Sequence, residues 1–364
     1  MLLSFCTLLL TASAVGGASL WVPTTPQFPR PYALKKGDGI KLPGGNIFPV
    51  TGNSSGNAFC ILNTNAASSS GRGAGGFPHV HKATYENFYT VKGRVQLWGQ
   101  NLATYLSNTS TQQTRILGPG DLGAIPPNTI HTFSLLEPDT QLTGVLVPGG
   151  FEEFFFHMNL SFNTSELAKW DVYPQPDFVP RQDAVDGRAG PGNWYNGPNE
   201  LLPRDMAMAA PGWVAKNYGP KWLHSEAGRY QIVTPFVMGP QTNGTFSQGT
   251  ITLSLFGDGE PENQRGAPVV KSGVATAFMV EEGQLEVAVE GYDAVSLIDG
   301  DVVFVPADTP FSYIALAEFT KFMYVTGGGD GLDFQLMADA QPWDSAFYPQ
   351  RKRAGVMTGG MHRI

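Results

Sequence analysis

Four residues in the first half of the chain have the types and spacing of a metal site: His79, His81, Glu86 and His131. His79 and His81 stand two residues apart, so on a β-strand both side chains point to one face. A bend after His81 would return Glu86 to that face on the next strand, and His131 would come from a neighbouring strand. Three imidazoles and a carboxylate suit Cu, Fe, Mn, Ni, Co or Zn, and the residue types do not choose among these ions. We predict one divalent transition-metal ion at this point.

The elements that would position these residues occur twice in the chain. Each copy has two short β-rich runs folded about a glycine, and then a Gly-Asp-x4-Pro block, at 120–126 and at 300–306. Five residues after the proline stands His131 in the first copy and Phe311 in the second. Helical periodicity is scarce, and the 44 glycines and 28 prolines suit short strands joined by tight turns. The sequence therefore predicts a duplicated all-β domain, each copy a sandwich or jelly-roll barrel.

This duplication, with the local composition, sets the predicted bounds of the segments. The metal site falls in the first domain alone. The stretch between the two domains is rich in Pro, Asp, Asn and Gly, which predicts an irregular linker with one short helix near 165–169. In chain order we predict a signal peptide at 1–19, an N-terminal domain at 20–161, the linker at 162–202, a C-terminal domain at 203–348 and a basic tail at 349–364.

The charge and the N-terminus of the chain bear on its partners and its location. A formal net charge of -8 argues against nucleic acid, which needs a basic footprint. An apolar run over 2–10 is followed by Ala12-Ser13-Ala14, a pattern typical of a secretory signal peptide and too short to span a bilayer. We expect a secreted, extracellular protein with no membrane partner. Asn-x-Ser/Thr sequons for N-linked glycans support this expectation and start at Asn53, Asn108, Asn159, Asn163 and Asn243.

The other residues that could do chemistry receive no role. Cys6 falls in the predicted signal peptide, so Cys60 is the single cysteine of the mature chain and an internal disulfide is excluded. Cys60 lies in an apolar run, which predicts a buried small hydrophobic residue and not a catalytic thiol. No ligand role is predicted for the remaining histidines, His157, His224 and His362.

Two spans resemble the motifs of the cupin family. Residues 75–93, which include three of the four predicted ligands, resemble the first motif. Residues 120–131 resemble the second, with Asn128 where glycine is often found; asparagine tolerates the same left-handed backbone. More narrowly, the chain resembles the fungal quercetin 2,3-dioxygenases (flavonol 2,4-dioxygenases) over nearly the whole mature chain, except the linker and the tail. The supporting spans are 85–89, 96–98, 111–115, 138–140, 143–145, 147–152, 218–223 and 230–236.

This resemblance implies a fold of two cupin domains and a role for each predicted ligand. His79, His81 and His131 would bind the metal, and Glu86 would both bind it and take the proton of the substrate's 3-hydroxyl. The implied ion is Cu(II), the substrates are a flavonol and O2, and the products are a depside and carbon monoxide. The second domain is expected to be structural. The ligand positions counted back from its hairpin glycine hold Val269, Lys271 and Thr276, and Phe311 stands in place of the last histidine.

A flat aromatic substrate needs an apolar pocket beside the metal. Phe133 lies two residues after His131, so on a strand it shares the inward face of that ligand. Aromatic residues after the Pro-Gly-Gly turn at 148–150 are further candidates. The full predicted set of substrate contacts is Phe133, Phe151, Phe155, Phe88, Leu62, Thr64 and Leu146.

Two other classes of protein remain open at this point. One is a different cupin metalloenzyme, such as an oxalate oxidase or decarboxylase, whose small charged substrate would favour Asn or Arg near the metal. The other is a non-enzymatic binding or storage cupin, which has no need of four ligands. The sequence also does not decide whether the protein forms a homodimer.

Overall fold

The computed structural model describes residues 17–66, 75–108, 111–158, 164–186, 210–226, 229–255, 268–343, 345 and 348–349. Most of the predicted signal peptide, two of the sequons and nearly all of the predicted tail lie outside these residues. Gly17, within the predicted signal, donates its backbone N–H to Asp293 Oδ1 at 2.9 Å. No helix in the described ranges is long and apolar enough to cross a membrane.

Two sheets form the first half. In spatial order the larger sheet contains β14 (Gly212–Val214), β9 (Leu122–Ile125), β6 (Tyr85–Lys92), β11 (Gln141–Val147), β4 (Cys60–Asn65), β3 (Asn46–Val50) and β2 (Ile40–Leu42). The smaller sheet contains β12 (Tyr173–Pro174), β5 (His79–Val80), β10 (Thr129–Leu135), β7 (Val95–Asn101), β8 (Gln113–Leu117) and β13 (Val185–Asp186). The metal site lies between these two sheets.

The second half repeats this plan. Its larger sheet contains β1 (Tyr32–Leu34), β21 (Val302–Val305), β18 (Thr276–Glu282), β23 (Thr320–Thr326), β17 (Ser247–Leu253), β16 (Arg229–Val237), β15 (Trp222–Glu226) and β24 (Gln341–Pro342). Its smaller sheet contains β20 (Val295–Leu297), β19 (Leu285–Val289) and β22 (Phe311–Ala315). Buried and half-buried residues alternate along β19 and β22, as expected of strands with one face on a core.

The helices are short and lie between strands. They are α1 (Gly52–Ser55), α2 (Leu102–Ser107), α3 (Glu152–Met158), α4 (Leu332–Ala338) and two 3-10 helices (Thr164–Trp170 and Gly239–Thr242). The first 3-10 helix matches the short helix predicted in the linker, but β12 and β13 show that the linker also adds strands to the metal-bearing sheet. The predicted all-β fold of two cupin domains is confirmed.

Each half gives one strand to the sheet of the other half, which the predicted domain bounds did not anticipate. β1 precedes the first barrel but pairs with β21, and β14 precedes the second barrel but pairs with β9. The arriving segments bind the aspartates of the two Gly-Asp blocks: Lys36 N donates to Asp301 Oδ1 at 2.9 Å, and Lys216 N to Asp121 Oδ1 at 2.8 Å. The duplication therefore extends to the contacts between the halves.

One face of β6 carries side chains of the metal site, and the other face forms part of the interface between the two halves. Glu86 and Phe88 point into the first barrel, whereas Tyr85 and Tyr89 pack on Phe246 and Phe236 of the second half, with ring centroids 5.3 and 5.7 Å apart. Between the two tyrosines, the Asn87 amide donates to Gln248 at 2.8 Å. Alternation along a strand makes this possible, because successive side chains point to opposite faces. The interface thereby fixes the strand that carries Glu86.

Candidate metal centre

Strands of both sheets bring the four predicted ligands to one point. His79 on β5 lies opposite His131 on β10, His81 follows β5, and Glu86 comes from β6. Glu86 Oε2 lies 3.6, 3.1 and 2.9 Å from Nε2 of His79, His81 and His131. One donor atom of each residue lies within 4.8 Å of the others, and all four residues are buried. The four residues therefore form a His-His-Glu-His site that can bind a metal ion.

Hydrogen bonds outside this cluster orient its three imidazoles. Each ring donates from Nδ1 to a backbone carbonyl, and because a carbonyl oxygen only accepts, Nδ1 carries the proton and Nε2 keeps its lone pair. The acceptors of His79, His81 and His131 are the carbonyls of Phe77, Asp171 and Thr129, at 2.8, 2.7 and 3.0 Å. Such outer bonds fix the tautomer and the direction of a metal-binding histidine.

The donor set fits a divalent cation. Nε2 of His79 lies 3.2 Å from Nε2 of His81, and both face the same carboxylate oxygen of Glu86. Lone pairs that converge in this way repel each other unless a proton or a cation lies between them. Imidazole nitrogen with one carboxylate oxygen suits Zn, Cu, Fe and Ni, so the residues present fit a first-row transition metal.

Protonation in the cluster follows from burial and from these contacts. Burial lowers the pKa of His79 to about 4, which keeps its ring neutral. Burial is the largest single effect on His81 and opposes its charge, but the Glu86 carboxylate and Asp171 together outweigh burial and raise the pKa of His81 above its ordinary value. For Glu86, burial raises the pKa, but the adjacent imidazoles of His131, His79 and His81 together hold it well below its ordinary value. Glu86 is therefore a carboxylate.

The linker supplies a residue that the sequence analysis missed. The predicted bend between His81 and Glu86 exists at 82–84, and Asp171 holds it. Its carboxylate accepts the backbone N–H groups of all three bend residues at 2.8–2.9 Å. Burial raises the pKa of Asp171, but these three bonds outweigh burial and lower it, so the group is ionised. Nothing local in a Pro- and Asp-rich linker points to this contact.

A cavity of about 360 Å³ opens onto the cluster, which is within the range of small-molecule sites. His79 and Glu86 form part of its wall. Most of the remaining wall is apolar, and Phe88 and Phe133 contact each other there with ring centroids 5.4 Å apart. Six of the seven predicted substrate contacts line the cavity: Leu62, Thr64, Phe88, Phe133, Phe151 and Phe155. Their contact with substrate stays a prediction.

Leu146 is the predicted contact that does not line the cavity. It lies opposite Glu86 on β11 and is fully buried, in a cluster with Phe151 and Phe154 that covers it. Alternation along β11 places Leu146 on the face that points into the barrel, but it does not show how deeply the side chain is covered. The same alternation points to Leu142 and Gly144, which do line the cavity and were missed, as were Phe154 of α3 and Val172 of the linker.

Among the residues that the structure describes, the second half has no equivalent metal site, and strand register displaces two of its predicted positions by one residue. Phe311 lies opposite Val270, as His131 lies opposite His79, so Val270 and not Val269 takes the first position. The second position belongs to Ser272 and not Lys271, because the carbonyl of Ser272 accepts from Asp308 N just as that of His81 accepts from Asn128 N. The cause is a connection to the next strand that is one residue shorter. None of the corrected positions offers an imidazole or a carboxylate.

Comparison with known proteins identifies the family. No family model matches the chain. Quercetin 2,3-dioxygenase of Aspergillus japonicus is 37% identical over 362 residues, which cover 91% of this chain and 99% of that protein. Quercetin 2,3-dioxygenase of Bacillus subtilis (strain 168) is 32% identical over 129 residues, 34% of each chain. A solved oxalate decarboxylase of Lactobacillus farciminis, in complex with formate, aligns with a TM-score of 0.45 and 12% identity over 79% of this chain and 82% of that one.

The alignment with the Aspergillus japonicus protein runs along both halves, so it includes the metal cluster and the strands that position it. The His-His-Glu-His site can hold the metal ion of such an enzyme. The chain belongs to the quercetin 2,3-dioxygenase family and is a metal-dependent cupin dioxygenase.

Proposed function

We propose that this protein cleaves the heterocycle of a flavonol with O2. The bonds from C3 to C2 and to C4 break, the two oxygen atoms join C2 and C4 to give a depside, and C3 leaves as carbon monoxide. One observation carries the proposal: Glu86 belongs both to the metal cluster and to the wall of an aromatic cavity of about 360 Å³. The name of the Aspergillus japonicus relative gives the same substrate class.

The residues of the chain account for substrate binding and for the proton. Cleavage requires the 3-hydroxyl to lose its proton, because the resulting enolate is electron-rich enough to react with O2. Glu86 is ionised and lies on the cavity wall, so its carboxylate accepts that proton. Phe88 and Phe133 bury the flat rings and exclude water from the reacting atoms.

The metal we propose is one Cu(II) ion held by His79, His81, Glu86 and His131. When bound, this ion would stabilise the oxygen of the enolate and supply the redox chemistry that O2 requires. The outer hydrogen bonds from the three Nδ1 atoms keep every Nε2 directed at the ion's position.

The cavity also favours a flavonol over a small dianion such as oxalate. No Arg or Lys is found on the wall among the residues that the structure describes, and several of its side chains are phenylalanines. A small dianion would find no cationic side chain on the described wall beside the metal ion, so its second charge would be poorly stabilised in such surroundings. A large, flat and mostly apolar molecule gives up little hydration free energy on entering this cavity, and it buries its rings there.

We further propose that the protein is secreted and glycosylated. The apolar run at 2–10 supports secretion, and the sequon residues Asn53, Asn108 and Asn243 are exposed, as an acceptor of a glycan must be. Mass spectrometry of the secreted protein before and after enzymatic removal of N-glycans tests both points. Secretion without a change in mass would contradict glycosylation.

The proposed reaction has a direct test. The purified protein, loaded with Cu(II) or stripped of metal, is incubated with quercetin in air, and flavonol absorbance is followed. The proposal expects rapid loss of absorbance only in the metal-loaded sample. A stable spectrum with metal bound would overturn it.

Gly144 offers a way to block the cavity without disturbing the site. A Cβ at this residue would lie 3.6–3.8 Å from its nearest neighbours, which is ordinary contact, and no positive φ demands glycine there. Gly144→Val is therefore expected to fold and to lower kcat/KM for quercetin by about tenfold or more, with metal content unchanged. Gly273→Val, on an exposed site with open space around it, serves as the matched control. Equal kcat/KM in both variants would show that the flavonol does not lie against Gly144.

The affinity for Cu(II) is expected to fall as the pH falls. Protons compete with metal for Nε2, and because the pKa of His81 is raised, the first competing proton binds at a pH above the ordinary pKa of histidine. The apparent Kd should increase by about tenfold per pH unit below that pKa, and more steeply as pH nears about 4, where His79 is also protonated. Competition titrations with a chelator between about pH 5 and 8 measure this slope. A Kd that does not change over that range would contradict the assigned protonation states.

A further inference from the structure

Asp171 contacts the metal cluster in two ways at once. Its backbone carbonyl accepts from His81 Nδ1 at 2.7 Å, and its carboxylate holds the bend that leads from His81 to Glu86. The residue has a φ of 59°, in the left-handed region that asparagine, aspartate and glycine adopt most readily. One linker residue therefore touches a ligand and the connection between two ligands.

We propose that Asp171 is a positioning residue that sets the angle between His81 and Glu86 at the metal site. The inference rests on the proposed metal site, and it does not depend on which substrate the protein cleaves. It assigns the linker a part in the chemistry, where the sequence predicted only a connection between domains.

The barrel itself gives the bend little support. β5 has only two residues, and it is held by β10 on one side and by the linker strand β12 on the other. The three N–H groups at 82–84 converge on one anionic acceptor, an arrangement that fixes the backbone between His81 and Glu86. Without this acceptor the bend can relax, and the two ligands lose their common direction.

The next residue extends the same segment to the cavity. Val172 is almost fully buried and lines the cavity wall, so the pair Asp171-Val172 lies between the metal cluster and the substrate space. Tyr173 then pairs with Val80, and Lys82 Nζ lies 4.0 Å from the centre of its ring. Contacts of the two residues that follow Asp171 thus hold it against the bend.

Two substitutions test the carboxylate while keeping the carbonyl. Asp171→Asn is isosteric but replaces one acceptor oxygen by an N–H donor. Asp171→Gly removes the side chain, and glycine adopts the left-handed conformation without strain. Asp183→Asn is the matched control, because Asp183 lies in the same segment with its side chain 75% exposed and pairs with Arg181. If the glycine variant fails to fold, the asparagine variant still decides the question.

The readouts are the Kd for Cu(II), from competition with a chelator, and the electron paramagnetic resonance spectrum of the Cu(II)-loaded protein. We expect both Asp171 variants to bind Cu(II) about 10- to 100-fold more weakly, with altered copper hyperfine splitting, while Asp183→Asn matches the unsubstituted protein. Unchanged affinity and an unchanged spectrum in the Asp171 variants would overturn the proposal, even if they unfold at a lower temperature. A protein that binds Cu(II) but leaves quercetin intact would refute the proposed function and leave this comparison valid.

Discussion

Flavonol turnover by the Glu86→Gln variant is expected to fall by about 10²- to 10⁴-fold, the usual contribution of a well-placed proton acceptor. The amide has nearly the shape of the carboxylate, so the fold and the three imidazoles remain, but it cannot take the proton of the 3-hydroxyl. Steady-state kinetics with quercetin, normalised to bound copper, measure the effect and separate it from weaker metal binding. Full turnover per copper in this variant would refute Glu86 as the proton acceptor.

Glu281→Gln is the control for this substitution. The Glu281 side chain is 11% exposed, against 10% for Glu86, and it lies in the second half, where it accepts from Tyr89 and pairs with Lys321. Loss of the Glu281 carboxylate is expected to lower the stability of the fold, because the buried Lys321 loses its anionic partner. Turnover per folded, copper-loaded molecule should stay close to that of the unsubstituted protein.

The His131→Ala variant is expected to lose most of its metal, and flavonol turnover with it. His131 is fully buried and lies 2.9 Å from Glu86, at the centre of the cluster. Two imidazoles and a carboxylate remain, and the described part of the chain offers no other His, Cys, Asp or Glu at this point to complete the site. Metal analysis after dialysis, together with circular dichroism to confirm folding, measures this loss.

His224→Ala is the control for the loss of an imidazole, since His224 lies on β15 of the second half and outside the cluster. We expect it to retain its full complement of copper. Equal copper content in His131→Ala and His224→Ala would contradict the assignment of His131 as a ligand.

The sequence predicted the metal cluster because its signals are local. His79 and His81 share a strand face, Glu86 follows after one bend, and His131 stands at a fixed distance from a repeated block. The repeat also indicated that the matching positions of the second half hold residues other than histidine and carboxylates. In that half, the connection that leads to β18 is one residue shorter than its counterpart before β6. Residue spacing alone does not show where the missing residue falls, so only the strand register locates it.

Contacts between distant segments were not predictable in this way. β1 pairs with β21 and β14 pairs with β9, so the exchange joins residues that lie far apart in the chain. The sequence of neither strand distinguishes it from strands that pair within their own half. Asp171 lies in a stretch with many similar polar residues, and only the fold brings it to the bend at 82–84. Leu146 shows a third limit, since alternation gives the face of a strand but not how deeply each residue is covered.

Carbon monoxide formed per flavonol consumed is the measurement that tests the central claim most directly. The copper-loaded protein is incubated with quercetin in a sealed, air-filled vessel, and the gas phase, the O2 uptake and the depside are quantified together. Cleavage through Glu86 and the metal cluster predicts one carbon monoxide and one depside for each flavonol and each O2. Flavonol consumption without carbon monoxide, or with hydrogen peroxide in its place, would contradict the account.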